Sequence, residues 1–375
     1  MLLLMGVWLS GCTSIDDNFP VPEASTVPKF SAEVLDEETR EVKFNNESIV
    51  PEIAGNVTYN WAFGDGSSST EESPTHIYDA FGEYEVKLVI LVPEQSQIVE
   101  TANPLALLQP INIDFTLFYM DADLLAIEAV GLTTNTIGLN GFGGGLALDK
   151  QAGVLYYSDD DNLQIKRVSK DGSDPEILFE GLTAVGNIAL DVPNGKVYWT
   201  NRSEGAVYRG NMDGSGSAEQ IINTLELPEG IAVSGDKIYI SDVQAPPIGE
   251  NIYEADLNGA NLEIFLGGSW GYGLAVDEAN GRLYFGDQGV FDNPNDNRLK
   301  SVSLINTSDV QTVANLEAIG DNGSRTYGIA INTVENKVYW SDRNSDKIKS
   351  ANLDGSELST ILVAEGQPRG IALDF

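Results

Sequence analysis

VYWSD, residues 338–342, reads either as a catalytic strand end or as a unit of sheet construction, and its recurrence decides between them. Toward the N-terminus it returns as LYFGD (283–287), IYISD (238–242), VYWTN (197–201), LYYSD (155–159) and, more loosely, LFYMD (117–121). The copies lie typically about 42 residues apart, and each has an aromatic second residue. A second motif interleaves with the first: GLALD (145–149), NIALD (187–191), GIAVS (230–234), GLAVD (273–277), GIAIN (328–332) and GIALD (370–374). Two interleaved short-strand motifs, six copies each, are the pattern of β-propeller blades. A repeated VYWSD is architecture.

Residue choices within the second motif fit an inner strand. Alanine holds the third position in every copy (Ala147, Ala189, Ala232, Ala275, Ala330, Ala372), as expected if inner strands converge on an axis with room for little more than a methyl group. On this reading Ile231 and Val233 point the other way, between sheets. Glycine opens five copies and Asn187 the sixth, which suggests positive φ at that position. Asn194-Gly195 and Asn280-Gly281 suit the hairpin to the next strand, and Asp171-Gly172, Asp213-Gly214, Asn258-Gly259 and Asp354-Gly355 mark a later turn. LFYMD has no inner strand before it and GIALD at 370–374 has no outer strand after it, so the two should share one blade and close a ring of six.

These residues resemble the YWTD repeats, the low-density-lipoprotein-receptor class B family, over roughly 111–375. No copy is a literal YWTD, and Gly286, Ile240 and Asn201 depart from the pattern. The resemblance implies that Asp159, Asp242, Asp287 and Asp342 are scaffold groups bonding backbone between strands.

Upstream, Val57, Tyr59, Trp61 and Phe63 alternate along one strand, and Tyr84, Val86, Leu88 and Ile90 along another, the signature of a half-buried β-sandwich. WAFGDGSSSTEESPTHIYDAFGEYEVKLVI, residues 61–90, resembles the polycystic-kidney-disease-type (PKD) domain in its Trp-x-Phe-Gly-Asp-Gly turn, Pro-x-His-x-Tyr and Gly-x-Tyr-x-Val-x-Leu. That family supplies mostly extracellular spacers or adhesion modules. His76, the single histidine, and Asp65 are expected to be structural. The fold class is therefore all-β, a small PKD/Ig-like sandwich over 28–93, a linker over 94–110 and a six-bladed propeller over 111–375.

Charge narrows the partners. With 57 Asp+Glu against 21 Lys+Arg the net charge is −36, which repels nucleic acid and anionic headgroups. The single cysteine, Cys12, excludes an intramolecular disulfide. It ends MLLLMGVWLSGC, an apolar run too short to span a bilayer but suited to a signal-peptide core. Leu9-Ser10-Gly11-Cys12 resembles the bacterial lipobox, although the basic n-region is missing. The resemblance implies a signal peptide over 1–12, lipidation of Cys12, a tether over 13–27 and a surface-exposed outer-membrane location. Thr13-Ser14-Ile15-Asp16-Asp17 is similar to the acidic export tag of Bacteroidetes-type surface lipoproteins.

Function must come from what the repeats do not share. Three long segments, 243–251, 288–298 and 316–327, fall on one side at neighbouring blades, where binding residues concentrate. Phe142, Glu229, Trp270, Tyr272, Arg325, Tyr327 and Arg369 lead into the inner strands and ring the channel mouth, offering apolar area with polar handles to a sugar or peptide. Asp292, Asn295 and Asp296 offer oxygen ligands for calcium; no other cofactor is implied. A propeller without His or Cys excludes zinc sites and Ser-His-Asp or Cys-His catalysis. The expected function is a lipid-anchored surface protein whose propeller binds a protein or polysaccharide. A divalent-metal lactonase-like hydrolase and a purely structural spacer are the alternatives.

Overall fold

The computed structural model describes residues 25–36, 39–80, 82–93, 97–107, 113–243, 251–269, 271–287, 298–316 and 325–375. It divides into two compact units at Leu108/Gln109.

The N-terminal unit is a sandwich of two antiparallel sheets. One holds Phe30–Asp36, Glu41–Asn46 and Thr75–Ile77; the other holds Ser68–Ser69, Thr58–Ala62, Gly82–Val92 and Gln97–Leu107 in that order. The alternating residues face inward, with Trp61, Val86, Leu88 and Ile90 fully buried around Phe44 and Phe63. His76 stacks on Phe63 at 4.2 Å and donates from Nε2 to the Asp65 carboxylate at 2.7 Å, so it braces the turn after Phe63. Burial alone would raise the Asp65 carboxyl, but hydrogen bonds from Ser67 and His76 hold it down to about 2. The linker expected at 94–110 is largely a strand: Gln97–Leu107 pairs with Gly82–Val92 along its whole length. Pro104 is tolerated there because this is an edge strand of the sheet.

The second unit is a closed ring of six four-stranded antiparallel sheets. From inside outward, blade 1 is Leu146–Asp149, Val154–Asp159, Gln164–Ser169 and Glu176–Phe179; blade 2 is Ile188–Asp191, Lys196–Asn201, Ala206–Asn211 and Glu219–Ile222. Blade 3 is Pro228–Ser234, Lys237–Asp242, Asn251–Asp256 and Glu263–Gly267; blade 4 is Leu274–Asp277, Arg282–Asp287, Arg298–Ser303 and Asn306–Asn315. Blade 5 is Thr326–Asn332, Lys337–Asp342, Lys347–Asn352 and Ser359–Val363. Blade 6 takes its inner strand, Pro368–Asp374, from the C-terminal end and its other three, Thr116–Asp121, Ala126–Gly131 and Asn135–Gly138, from the start of the unit. The ring closes as the motif order requires.

The alanines do different work from that expected. Each lies directly across from the aromatic second residue of its blade, as in Ala189↔Tyr198 and Ala330↔Tyr339, so small and large alternate on one face. Each also shares a buried cluster with an aliphatic of the next inner strand: Ala147 with Ile188, Ala189 with Ile231, Ala232 with Leu274, Ala275 with Ile329, Ala330 with Ile371 and Ala372 with Leu146. Adjacent sheets are closest near the axis, where only a methyl fits opposite Ile or Leu. Those six aliphatics, not the alanines, line a small axial cavity of about 40 Å³.

The motif glycines are also corrected. Gly145, Gly230, Gly273, Gly328 and Gly370 are absent from the positive-φ residues. They are glycine because the next blade's backbone sits where Cβ would be: a Cβ on Gly328 would lie 2.5 Å from Arg369 O, and one on Gly145 2.7 Å from Ile188 N. Positive φ belongs instead to the hairpin and turn glycines Gly195, Gly281, Gly172, Gly214, Gly259 and Gly355.

The motif aspartates are buried acceptors. Asp242 accepts from Glu226 N and Leu227 N, Asp342 from Arg325 N, and Asp121 from Gly366 N, tying the end of the second strand to the segment leading into the inner one. Lys166, Lys300 and Lys349 neutralise Asp159, Asp287 and Asp342 from the third strand. The hydroxyl one residue earlier also joins strands and blades: Thr200 donates to Glu229 O at 2.8 Å, and Ser341 Oγ accepts from Gly328 N.

Candidate functional site

Two repeat positions build the channel mouth. One is the residue before each inner-strand glycine or its equivalent: Gly144, Gly186, Glu229, Tyr272, Tyr327 and Arg369 around the ring. The other follows the fifth residue of the VYWSD-type motif and includes Asp160, Arg202 and Arg343. They share a face because backbone bonds join their segments, Asp160 N to Phe142 O at 2.6 Å and Arg343 N to Arg325 O at 3.1 Å. With no shared scaffold duty, these positions vary from blade to blade.

The expected residues gather here. Arg369 lies over Phe142, 4.0 Å from its ring centre, and also faces Tyr327 at 5.1 Å. Tyr272 and Tyr327 stack at 5.6 Å and 14°. Tyr327 is only 7% exposed and forms the floor of the mouth. Its hydroxyl reaches across to blade 1, 2.6 Å from where a Gly144 Cβ would stand. Beneath it Asn187, in the place of the missing glycine, donates across the axis to Tyr272 O at 3.3 Å. Two cross-axis contacts thus narrow the channel. Trp270, the long segments' 244–250, 288–297 and 317–324, and the calcium candidates Asp292, Asn295 and Asp296 lie outside the described residues. Among the described residues, no group of three or more His, Cys, Asp or Glu side chains is placed to hold a metal ion.

Glu229 is 5% exposed, and Arg202 approaches its Oε1 to 2.7 Å. The approach is ion-pair close but not aligned as a hydrogen bond, so Oε1 keeps no hydrogen-bond partner. Burial pushes the Glu229 carboxyl up to about 7 against the opposing pull of Arg202, Arg369 and Arg343. Burial likewise lifts Asp160 to about 7, with Arg369 pulling it down. Asp160 Oδ1, Arg369 Nε and Thr326 Oγ1 are also buried without hydrogen-bond partners among the described residues. Asp160, Arg202 and Arg343 were not singled out for this site from sequence, although aligning the residue after each VYWSD-type motif would have collected all three.

These carboxyls give the fold a pH signature. A carboxyl raised from 4.5 to about 7 binds its proton more tightly when folded, so stability falls as pH climbs through that window and is flat above it. Glu229→Gln removes its share. The variant is expected to be more stable than the parent by about 1–3 kcal/mol at pH 8 and to show no gain at pH 4.5. Urea unfolding at the two pH values checks this; an equal difference at both would mean that Glu229 does not titrate there.

A β-sandwich and a closed six-bladed ring with a variable mouth define a propeller protein whose repeats are similar to those of the YWTD kind and whose first unit is similar to a PKD domain. Family models agree: residues 24–100 match that of the PKD domain, and residues 336–375 that of the low-density lipoprotein receptor repeat class B. The chain is 25% identical over 279 residues, 64% of its length and 88% of the relative's, to low-density lipoprotein receptor-related protein 1 of Pyricularia oryzae. It is 28% identical over 183 residues to protein cueball of Drosophila simulans, covering 46% of this chain and only 28% of that protein. Among solved structures, a chain of a nidogen/laminin complex superposes with a TM-score of 0.59 at 19% identity, covering 70% of this chain and 98% of that one. A gluconolactonase from Xanthomonas campestris follows at 0.50 and 15%, covering 69% and 88%. At these identities the structural likenesses establish the fold alone.

Proposed function

We propose that this chain is a lipid-anchored cell-surface binding protein whose propeller mouth engages a protein partner. The observation that carries the reading is the mouth itself, where otherwise repetitive blades diverge into arginines, aromatic rings and buried carboxyls. Such a site, rigid and partly unsatisfied, is suited to being completed by another molecule. The relatives support a protein over a polysaccharide: one is named as a receptor-related protein, and a structural neighbour comes from a complex of two proteins. A divalent-metal hydrolase fits the mouth poorly, because guanidinium groups there repel a dication. Cys12 would carry the lipid, holding the chain at the outer membrane facing outward, and the PKD-type domain would act as the spacer between anchor and head.

One experiment addresses both halves. Panning a displayed library of twelve-residue peptides on cells carrying the full chain should enrich related sequences. Tyr272→Ala should lose that binding by tenfold or more at unchanged melting temperature, and Cys12→Ala should release the chain from the membrane fraction. An empty selection alongside a hit on a polysaccharide array would transfer the site to glycans. Membrane retention of the Cys12 variant would remove the lipid anchor.

A further inference from the structure

Nine arginines occur in the chain, and four of them, Arg202, Arg325, Arg343 and Arg369, converge on this one mouth in a protein of net charge −36. Folding gathers like charges only at a cost. Arg343 registers that cost: burial and the neighbouring Arg369 and Arg325 all push its guanidinium below its ordinary range. Glu229 compensates Arg202, and Asp160 lies near Arg369. Neither Arg325 nor Arg343 has a side-chain hydrogen bond or ion pair among the described residues. Arg369 spends its flat face on Phe142 and Tyr327 while its Nε is buried without an acceptor.

Resting on the protein-binding reading above, we infer that the mouth receives a carboxylate, supplied as an acidic side chain of the partner, between Arg325, Arg343 and Arg369 and over the Tyr272–Tyr327 pair. Guanidinium groups suit the task because their planar N–H forks match both carboxylate oxygens, and such charge-assisted bonds are roughly twice as strong as neutral ones. The stacked tyrosines contribute apolar area for the side chain's methylenes. Tyr327 and Asn187 narrow the channel below, so the group is held at the mouth and does not pass through. The incoming charge would also relieve the repulsion among the arginines, so binding recovers free energy already spent in folding. A neutral amide of the same shape gains none of this.

The test uses N-acetyl-glutamic acid α-amide and its glutamine counterpart as probes of the full chain, at matched ionic strength of about 50 mM to limit screening. Saturation-transfer NMR at pH 7 should show transfer to the glutamate γ-methylene at least fivefold stronger than to the glutamine one. Arg343→Gln and, separately, Arg325→Gln should each reduce the glutamate signal at least fivefold. Both side chains are half-buried without side-chain partners among the described residues, so these variants are expected to fold, and their melting curves check it. Equal signals from the two probes, no signal from glutamate, or a signal that survives both substitutions would overturn the carboxylate assignment. Those results would leave peptide binding, if found by panning, intact. A signal from glucuronate with none from glutamate would give the mouth to an acidic sugar and also overturn it.

Discussion

Removing residues 370–375 is expected to abolish the cooperative unfolding of the propeller. The segment is most of an inner strand whose pairing with Thr116–Asp121 runs through Ile371↔Tyr119, Ala372↔Phe118, Leu373↔Leu117 and Asp374↔Thr116. Ile371, Ala372 and Leu373 are all under 9% exposed and take part in the two clusters flanking blade 6. Blade 1 also holds this strand from outside, Lys170 pairing with Asp374 at 2.6 Å and the Lys150 ammonium standing 3.2 Å over the Phe375 ring. Losing a buried Ile or Leu side chain alone costs about 2–5 kcal/mol. Here two are lost together with a full ladder of backbone bonds, and a wholly buried strand becomes an exposed edge. The sum is comparable to the stability of a whole domain. Scanning calorimetry of the truncated chain should show a broad, low-enthalpy transition for this unit and a tendency to associate. A sharp transition of undiminished enthalpy would mean that the ring does not depend on this closure.

Repetition made the ring legible. Six copies of each motif supplied the blade count, and the mismatched ends supplied the closure, since a shared blade was the one way to give LFYMD an inner strand. Physical roles were harder to read than positions. The repeated alanine signals crowding, but one sequence does not say whether the crowd is an axis or a neighbouring sheet; the paired clusters answer that. Glycine has two causes, unusual φ and close approach, and the sequence shows neither partner backbone. In the sandwich, Gln97–Leu107 lies outside the motifs of 61–90 and carries Pro104, which an edge strand tolerates, so nothing in the repeated pattern marks it. At the candidate site, Phe142, Glu229, Tyr272, Arg325, Tyr327 and Arg369 are legible by their place before the inner strand. Asp160, Arg202 and Arg343 are harder to read because they lie one residue beyond the fifth motif residue, outside the repeated pattern.

The two causes of glycine lead to opposite outcomes for substitutions that look alike. Gly281 occupies the hairpin between the first two strands of blade 4 at φ +62°, with no atom within 4 Å of a would-be Cβ. Asn336 holds the corresponding place in blade 5 at φ 55°, so the molecule already accepts a side chain in that conformation. Gly281→Asn is therefore expected to cost less than about 1 kcal/mol, because asparagine tolerates the left-handed region well. Gly328 presents the reverse case. Its φ is not positive, yet a Cβ would meet Arg369 O at 2.5 Å, Ile371 N at 2.8 Å and the Gly370 carbonyl carbon at 3.1 Å. All three are backbone of the neighbouring inner strand, which is itself fixed by its ladder to Thr116–Asp121, so no side chain can swing aside. Relief requires blades 5 and 6 to move apart, thinning the contact between Ala330 and Ile371. Gly328→Ala is thus expected to cost about 3 kcal/mol or more, the upper range of overpacking, for the addition of one methyl group. Urea denaturation of the two variants against the parent decides it. If Gly328→Ala is as mild as Gly281→Asn, the inner strands are farther apart than this packing requires, and the glycines would need another explanation.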